Sequence, residues 1–430
     1  MTTVEEPLPF NLDLDVPRVI PGRGRNEWRR AGCARGSCGR IAAAIRRFGV
    51  RVLLLWSSTV TCAPAVGGAG IGTGSPPTVE THIQPWPGVA RAAVSITFDD
   101  AYPSHAEVAA PMLEDHGFRG TFYLIVDKLF QRGKYRRSPS ASIETWQAAA
   151  RRGHEMGSHT MTHEPLDELT YDQARTELHD SREALENLFV GMDVVSLAYP
   201  FSRTDALVRD VTAGIYTSGR LGPPPEGAVP HNDPLQLDLL KLESMFLCTG
   251  DSPAYWNEAV ERAVQEQGWL IETLHAMDED GFCRISAVDF AAHLAHLSSL
   301  ADQIWVAPVS DVVRRLEHWR NQTIEAMPRS DWRVDLVWQG PPPAASDWQI
   351  TVHIAPVDDW RIVDEDGRQL PVRRRHGAMH FTWPARQDRV ILETDRESTG
   401  VESGSWGRMK QCTQAAAARR YGSCEASACW

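Results

Sequence analysis

A chain of 430 residues with a net charge of −12 is long enough to form two domains and a large core. The charge is unevenly spread, because residues 63–430 hold 34 Lys and Arg against 51 Asp and Glu, a net charge of −17. A body this acidic repels nucleic acids and anionic membrane surfaces, and we expect neither as a partner.

The first 90 residues predict no folded domain. Residues 1–45 are rich in Pro, Gly and Arg without periodicity, which is typical of a disordered extension. Residues 46–65 begin with basic residues, continue with an apolar run and end with small residues, which is the order of a secretory signal. The apolar run is too short for a stable membrane span. This favours a secreted or cell-surface protein, although the distance from Met1 leaves a downstream start or a cryptic segment open. Residues 66–90 are predicted to be a Gly/Pro/Ser linker.

Two of the eight cysteines, Cys248 and Cys283, fall inside the region that we expect to fold. The other six lie towards the two ends of the chain. The pair is either joined by a disulfide or present as two buried free thiols, and the sequence leaves both readings open.

Between residues 91 and 320 the pattern alternates between strands and helices. Ser104, Thr170, Ser252 and Ser286 are predicted helix N-caps, two of them in capping boxes, and further helices are predicted to begin at about Ser142 and at Ser310. This alternation predicts a parallel sheet, and its six or seven repeats favour a barrel over an open sheet. The predicted strands are Val94–Phe98, Thr121–Val126, His154–Ser158, Val194–Ala198, Trp269–Leu274 and Ile304–Ala307.

Four of these strands end in residues that suit catalysis. Asp99 and Asp100 follow the first strand, His159 the third, Phe201 lies just beyond the fourth, and His275 follows the fifth. In α/β barrels the chemistry lies at the carboxyl ends of the strands, so we expect these side chains to converge.

His159 and His163 form a His-x-x-x-His pair, which lets two imidazoles reach one ion. One carboxylate with two imidazoles is a ligand set typical of Zn²⁺ or another divalent metal. The second carboxylate of the Asp99-Asp100 pair is then placed to accept a proton from water. The sequence therefore predicts a metal-assisted hydrolase.

These residues resemble the polysaccharide deacetylase family, the NodB-homology domain of carbohydrate esterase family 4. The resemblance covers about residues 91–320 and implies a distorted (β/α)₇ barrel. The motifs that carry it are Thr97-Phe98-Asp99-Asp100, His159-Thr160-Met161-Thr162-His163, Tyr199-Pro200-Phe201 and Leu274-His275.

The resemblance implies hydrolysis of N-acetyl groups on an oligo- or polysaccharide, with release of acetate. O-acetyl ester hydrolysis and a non-catalytic carbohydrate-binding protein on a decayed barrel are the alternatives. By resemblance, the catalytic base is Asp99, the metal ligands are Asp100, His159 and His163, the catalytic acid is His275, and the backbone N–H near Phe201 holds the oxyanion.

Two departures from the family pattern bear on the site. The family usually has an Arg two residues before the motif proline, where this chain has Ala198, and Arg203 is the nearest replacement in sequence. The family also uses an Asp to tune the acidic histidine. No such residue is evident here, and Asp278 or Asp233 would have to substitute.

The pattern changes after residue 320. Residues 330–396 contain short runs rich in Val, Ile and Trp, separated by turn residues, and we predict a small C-terminal all-β, sandwich-like domain. Its Trp residues either fill the core or stack on sugars, and we favour the core. Residues 397–430 show no pattern and are predicted to be a disordered tail. The sequence does not predict an oligomeric state.

Overall fold

The computed structural model describes residues 77–224, 230, 232–248, 250–355, 359–375 and 377–394. The predicted N-terminal extension, signal-like segment and C-terminal tail lie outside these described residues. None of the described helices is long and apolar enough to cross a bilayer.

Strands and helices alternate over most of the described chain. The strands are β1 Glu80–Pro87, β2 Ala92–Asp99, β3 Thr121–Leu124, β4 Glu155–Ser158, β5 Ser196–Ala198, β6 Ser218–Arg220, β7 Met245–Phe246, β8 Trp269–Leu274, β9 Ile304–Val306, β10 Thr323–Ser330, β11 Arg333–Gln339, β12 Trp348–His353, β13 Trp360–Val363, β14 Arg373–Arg375, β15 Ala378–Thr382 and β16 Arg389–Thr394. The α-helices are α1 Ala110–Asp115, α2 Val126–Leu129, α3 Ile143–Arg151, α4 Tyr171–Leu188, α5 Ala206–Ala213, α6 Pro253–Glu266, α7 Ala287–Ser299 and α8 Val309–Arg320.

Strands β2 to β9 form the parallel sheet that the alternation predicted. Its order is β6-β5-β4-β3-β2-β8-β7, and β9 pairs with the first half of β2. The sheet curls so that the end of β6 meets the segment just before β7. There the Leu221 N–H donates to the Leu242 carbonyl (2.7 Å) and the Leu242 N–H to the Gly219 carbonyl (3.0 Å). The predicted distorted barrel is confirmed.

Most of the predicted N-caps act as caps. Thr170 forms a complete capping box at α4, and Ser142, Ser252 and Ser286 each accept a hydrogen bond from a backbone N–H of the first turn. Ser104 does not, because its hydroxyl donates to the Glu279 carboxylate instead. A π-helical turn over His105–Ala109 precedes α1 there.

Strands β1 and β10 to β16 form a β-sandwich, as predicted. One antiparallel sheet has the order β1-β12-β15-β14, and the other has the order β10-β11-β16-β13. The rings of Trp338 and Trp348 lie 5.9 Å apart and those of Trp338 and Trp383 5.3 Å apart, all three buried between the sheets. Such aromatic pairs add about 0.5–1.5 kcal/mol each beyond burial of their area. These three Trp residues fill the core and are not sugar platforms.

Two strands of the sandwich lie outside the range predicted for it. Residues Glu80–Pro87 of the predicted linker form β1, and β10 starts before residue 330. Two prolines interrupt the alternation of β1, and a strand with prolines is tolerated because β1 lies at the edge of its sheet.

Helix α8 packs the sandwich against the barrel. Its Arg315 guanidinium lies 3.5 Å from the centre of the Trp348 ring and donates to the Pro85 carbonyl at 3.0 Å. Its Trp319 donates an indole N–H to the Ile83 carbonyl at 2.8 Å. The sandwich is thereby fixed beside the amino-terminal ends of the barrel strands, where β1 leads into β2.

Candidate active site

The predicted site residues converge at the carboxyl ends of the barrel strands. Asp99 is the last residue of β2, and Asp100 follows it in a left-handed conformation with φ 73°. His159 and His275 each come directly after a strand, β4 and β8. The sequence predicts that these residues converge, and in the structure they do, because the neighbouring parallel strands end at the same edge of the sheet.

Asp100, His159 and His163 form a three-residue cluster. The Oδ1 atom of Asp100 lies 3.6 Å from Nε2 of His159 and 3.6 Å from Nε2 of His163. Donors bound tetrahedrally to zinc at about 2.0–2.2 Å lie roughly 3.4 Å apart, so the cluster fits such an ion. The ring of His159 is held in place because its Nδ1–H donates to the Ala198 carbonyl at 2.8 Å, which leaves Nε2 available to a metal ion.

The two histidines are held by a turn. The backbone N–H of His163 donates to the Thr160 hydroxyl at 2.9 Å, and Glu177 of α4 accepts from both the N–H and the hydroxyl of Thr162. Thr160 and His163 have φ values of 68° and 58°. Left-handed conformations cost non-glycine residues about 1–2 kcal/mol each, and such strain is concentrated at functional sites.

Asp99 is buried beside an arginine that the sequence analysis missed. Its Oδ2 atom accepts a hydrogen bond from Nη2 of Arg220 at 2.5 Å, and its Oδ1 atom has no partner among the described residues. Burial alone would raise the pKa of Asp99, but Arg220, with His159 and His275, lowers that pKa to about 2. Asp99 is therefore ionised and keeps one oxygen free to accept a proton.

Arg220 lies one strand away from Ala198, the position at which the motif arginine is missing. The Cα partner of Arg220 on β6 is Ala198 on β5, the position where the family has its arginine. Arg220 also donates to the Ser244 hydroxyl at 3.1 Å, and its guanidinium lies 5.1 Å from the centre of the Tyr123 ring. Because β6 is a three-residue strand before a Gly/Pro-rich loop, its sequence gave no sign of this role.

The residues suggested as replacements do not fill those roles. Arg203 is exposed and pairs with Asp167 and Glu168 at 2.8 Å. Asp278 accepts from the Ala287 N–H, and Asp233 accepts from backbone and side-chain groups of its own turn. Neither carboxylate reaches His275, whose Nδ1 atom has no partner among the described residues.

His275 lies between Asp99 and the rings of Phe246 and Phe282. Its Nε2 atom lies 3.8 Å from Oδ2 of Asp99, and its ring makes edge contacts with Phe246 at 5.4 Å and Phe282 at 4.8 Å. Burial lowers the pKa of His275 below its ordinary value, and Asp99 and Asp100 only partly offset this. The imidazole is therefore mostly neutral at neutral pH.

A disulfide joins the two segments that carry Phe246 and Phe282. Cys248 and Cys283 are joined, so the first of the two readings left open by the sequence is correct. Cys248 lies two residues after Phe246, and Cys283 directly follows Phe282. The bond therefore holds both phenyl rings close to His275.

Phe201 lies on the other side of the cluster. It is exposed, its ring centre lies 4.6 Å from that of His163, and both Phe201 and Ser202 have left-handed backbone. The loop after β5 thus brings its backbone and one aromatic ring next to the proposed ligands.

Residues 88–215 match a family model described as polysaccharide deacetylase. Gellan lyase from Bacillus sp is 27% identical over 260 residues, which are 55% of this chain and 10% of that protein. YxkH of Bacillus subtilis (strain 168), provisionally named a polysaccharide deacetylase, is 29% identical over 110 residues, 26% of this chain and 37% of that protein. The matches thus span well under half the length of these two curated relatives.

A solved structure from Mycobacterium smegmatis, also provisionally named a polysaccharide deacetylase, is 20% identical. The match covers 55% of this chain and 93% of that chain, with a TM-score of 0.41. The family resemblance drawn from the motifs is confirmed over residues 88–215, which match the polysaccharide deacetylase family model.

Proposed function

We propose that this chain is a zinc-dependent hydrolase, or one using another divalent metal, that removes N-acetyl groups from an acetylated oligo- or polysaccharide. Water cleaves the C–N bond, and the products are acetate and a free amine. The observation that carries the proposal is the convergence of a buried, arginine-paired carboxylate with a three-residue ligand cluster. We also propose that the protein acts outside the cytoplasm, because residues 46–65 resemble a secretory signal.

The roles follow from the atoms that are available. Asp100, His159 and His163 would hold the metal, which when bound polarises the acetyl carbonyl and lowers the pKa of water. Asp99 accepts the proton of the attacking water at its free Oδ1 atom, while Arg220 keeps its other oxygen fixed. The backbone N–H near Phe201 donates to the developing oxyanion.

His275 has the role of the acid. An amine anion is a very poor leaving group, so the departing nitrogen needs a proton, which Nε2 of His275 would donate. Its lowered pKa means that the protonated form is scarce at neutral pH. We therefore expect turnover of N-acetyl substrates to fall as the pH rises through the pKa of His275.

This feature of His275 favours O-acetyl ester hydrolysis as the second candidate function. An alkoxide leaves more easily than an amine anion and so depends less on the acid. The absence of a partner for Nδ1 among the described residues points the same way, because no carboxylate raises the basicity of the ring from that side. The third candidate, a decayed non-catalytic barrel, rested on the missing arginine, and Arg220 weakens that argument.

Acetate release from the full chain tests the proposal. N-acetylglucosamine oligomers and O-acetylated xylan serve as substrates, each with zinc and with a chelator. Chelator-sensitive release from the N-acetyl oligomers is the expected result. Release only from xylan would replace it with the esterase, and no release by the folded, zinc-loaded protein would leave the non-catalytic candidate.

A further inference from the structure

The outer face of the first sandwich sheet lines a cavity of about 440 Å³, far from the site above. Ligand cavities commonly measure about 300–1,000 Å³. Arg91 on the cavity wall directly precedes β2, and Gln267 lies two residues before β8. The cavity therefore lies at the amino-terminal ends of the barrel strands. The eight residues of β2 rise about 3.3 Å each, so this cavity and Asp99 lie roughly 26 Å apart.

The register of the sheet aligns polar side chains across this face. His82 on β1 is the Cα partner of Thr351 on β12, Thr351 of His380 on β15, and His380 of Arg373 on β14. The row crosses four strands, or about 14 Å. Alternate residues of these strands point into the Trp-lined core, so the row faces outward.

The charge of the cavity is opposite to that of the protein. Arg91, Arg373 and Arg375 line it together with three histidines, and none of the described residues that line it is Asp or Glu. The three arginines are exposed, and Glu80 shares the face without lining the cavity. In a body of net charge −17, such a concentration of cations selects for an anionic ligand.

The rest of the lining indicates what carries that anionic charge. The side-chain amides of Gln84, Gln267 and Gln349 offer donors and acceptors suited to hydroxyl groups. No Phe, Tyr or Trp is among the described residues of the lining, so the large aromatic rings on which nucleic-acid bases usually stack are absent from it. Arginine forks pair with carboxylates and with sulfate or phosphate oxygens alike.

We infer that this cavity binds a segment of an acidic sugar chain, one bearing carboxylate or sulfate groups, and anchors the polymer away from the site of hydrolysis. The choice of a sugar rests on the proposed function, and the anionic character rests on the cavity alone. Arg373 and Arg375 supply charge from β14, Arg91 supplies it from the barrel, and the amides bind hydroxyl groups between them.

Calorimetric titration of the full chain tests this inference. The protein is first stripped of metal with a chelator, so that acidic probes do not bind at the ligand cluster. The probes are hexagalacturonate, a sulfated dextran oligosaccharide and neutral xylohexaose. We expect one or both acidic probes to bind, and the neutral probe to bind much more weakly.

The double variant Arg373→Gln/Arg375→Gln should lose about tenfold or more in affinity for the acidic probe, since charged hydrogen bonds are removed. The matched control is Arg314→Gln/Arg368→Gln, which removes the same charge from exposed positions outside the cavity. Equal weakening in both double variants, equal binding of the neutral probe, or no acidic binding would overturn the inference. Thermal unfolding of each variant checks the fold, and Arg91→Gln gives an independent test from the other wall.

The two acidic probes distinguish the sources of charge. Preference for hexagalacturonate assigns carboxylates, and preference for the dextran assigns sulfates. Acidic binding without acetate release would leave this inference standing while the proposed function fails, and acetate release without acidic binding would do the reverse.

Discussion

The barrel and the sandwich distribute their polar groups in opposite ways. In the barrel, Asp99, Arg220 and His159 are each less than 5% exposed and face one another at one end of the sheet. In the sandwich, the space between the sheets holds Trp and aliphatic residues, and Arg373 and Arg375 lie outside. A buried charge is stable only when it is paired, so Arg220 beside Asp99 keeps that carboxylate ionised at the end of the sheet. The cavity that we infer to bind an anionic ligand lies on the outer face of the sandwich.

The first prediction removes a metal ligand and carries the largest expected effect. Asp100→Ala or His159→Ala should weaken zinc binding by at least about 100-fold, because three donors become two. Zinc content after dialysis measures this. His179→Ala, in the exposed cluster of His179, Asp180 and Glu183, is the control and should retain the zinc. A ligand variant with full zinc occupancy would remove that residue from the set.

The second prediction separates the base from the ligands. Asp99→Asn should keep zinc and lose about 10²–10⁴-fold in turnover, because the amide cannot accept the proton. Zinc content and acetate release are measured on the same sample. Turnover close to that of the parent protein would place the base elsewhere.

The third prediction tests the displaced arginine. Arg220→Gln leaves Asp99 buried without its cation, which should destabilise the fold by about 3–5 kcal/mol and lower turnover by up to about 100-fold. Chemical denaturation and acetate release measure the two effects, and zinc content should not change. The control is Arg203→Gln, which breaks only exposed pairs worth about 0.2–1 kcal/mol.

The pairing of Ala198 with Arg220 sharpens this test. An Arg220→Gly variant that also carries Ala198→Arg returns the guanidinium to the strand where the family has it. We expect part of the lost turnover to return. If Ala198→Arg restores nothing and Arg220→Gln keeps its turnover, Arg220 has a purely structural role.

The smallest effect on turnover is expected for the disulfide. Replacing Cys248 and Cys283 together by Ser should lower the free energy of unfolding by about 3–4 kcal/mol, as for a loop of 35 residues. Turnover should fall only ~2–5-fold, as Phe246 and Phe282 move away from His275. Denaturation curves and acetate release test both values. An unchanged pH dependence of turnover would show that the disulfide does not act on His275.

Much of this protein was determined by its sequence. Thr170 with Gln173, and Ser142, Ser252 and Ser286, predict helix starts because a short polar side chain satisfies free N–H groups locally. The alternation of strands and helices predicts the barrel because parallel strands require crossover helices. The positions of Asp99, Asp100, His159 and His275 at strand ends predict their convergence for the same reason.

Tertiary structure alone decided the rest. Arg220 reaches Asp99 although 121 residues separate them, since β6 pairs with β5 in a register that only the folded sheet fixes. Glu80–Pro87 become a strand because the sandwich offers an edge, which overrides a proline-rich sequence. The basic face of His380, Arg373 and their neighbours likewise combines strands from the two ends of the described chain. Local patterns report what neighbours along the chain satisfy, and contacts between distant segments become visible only when the chain has folded.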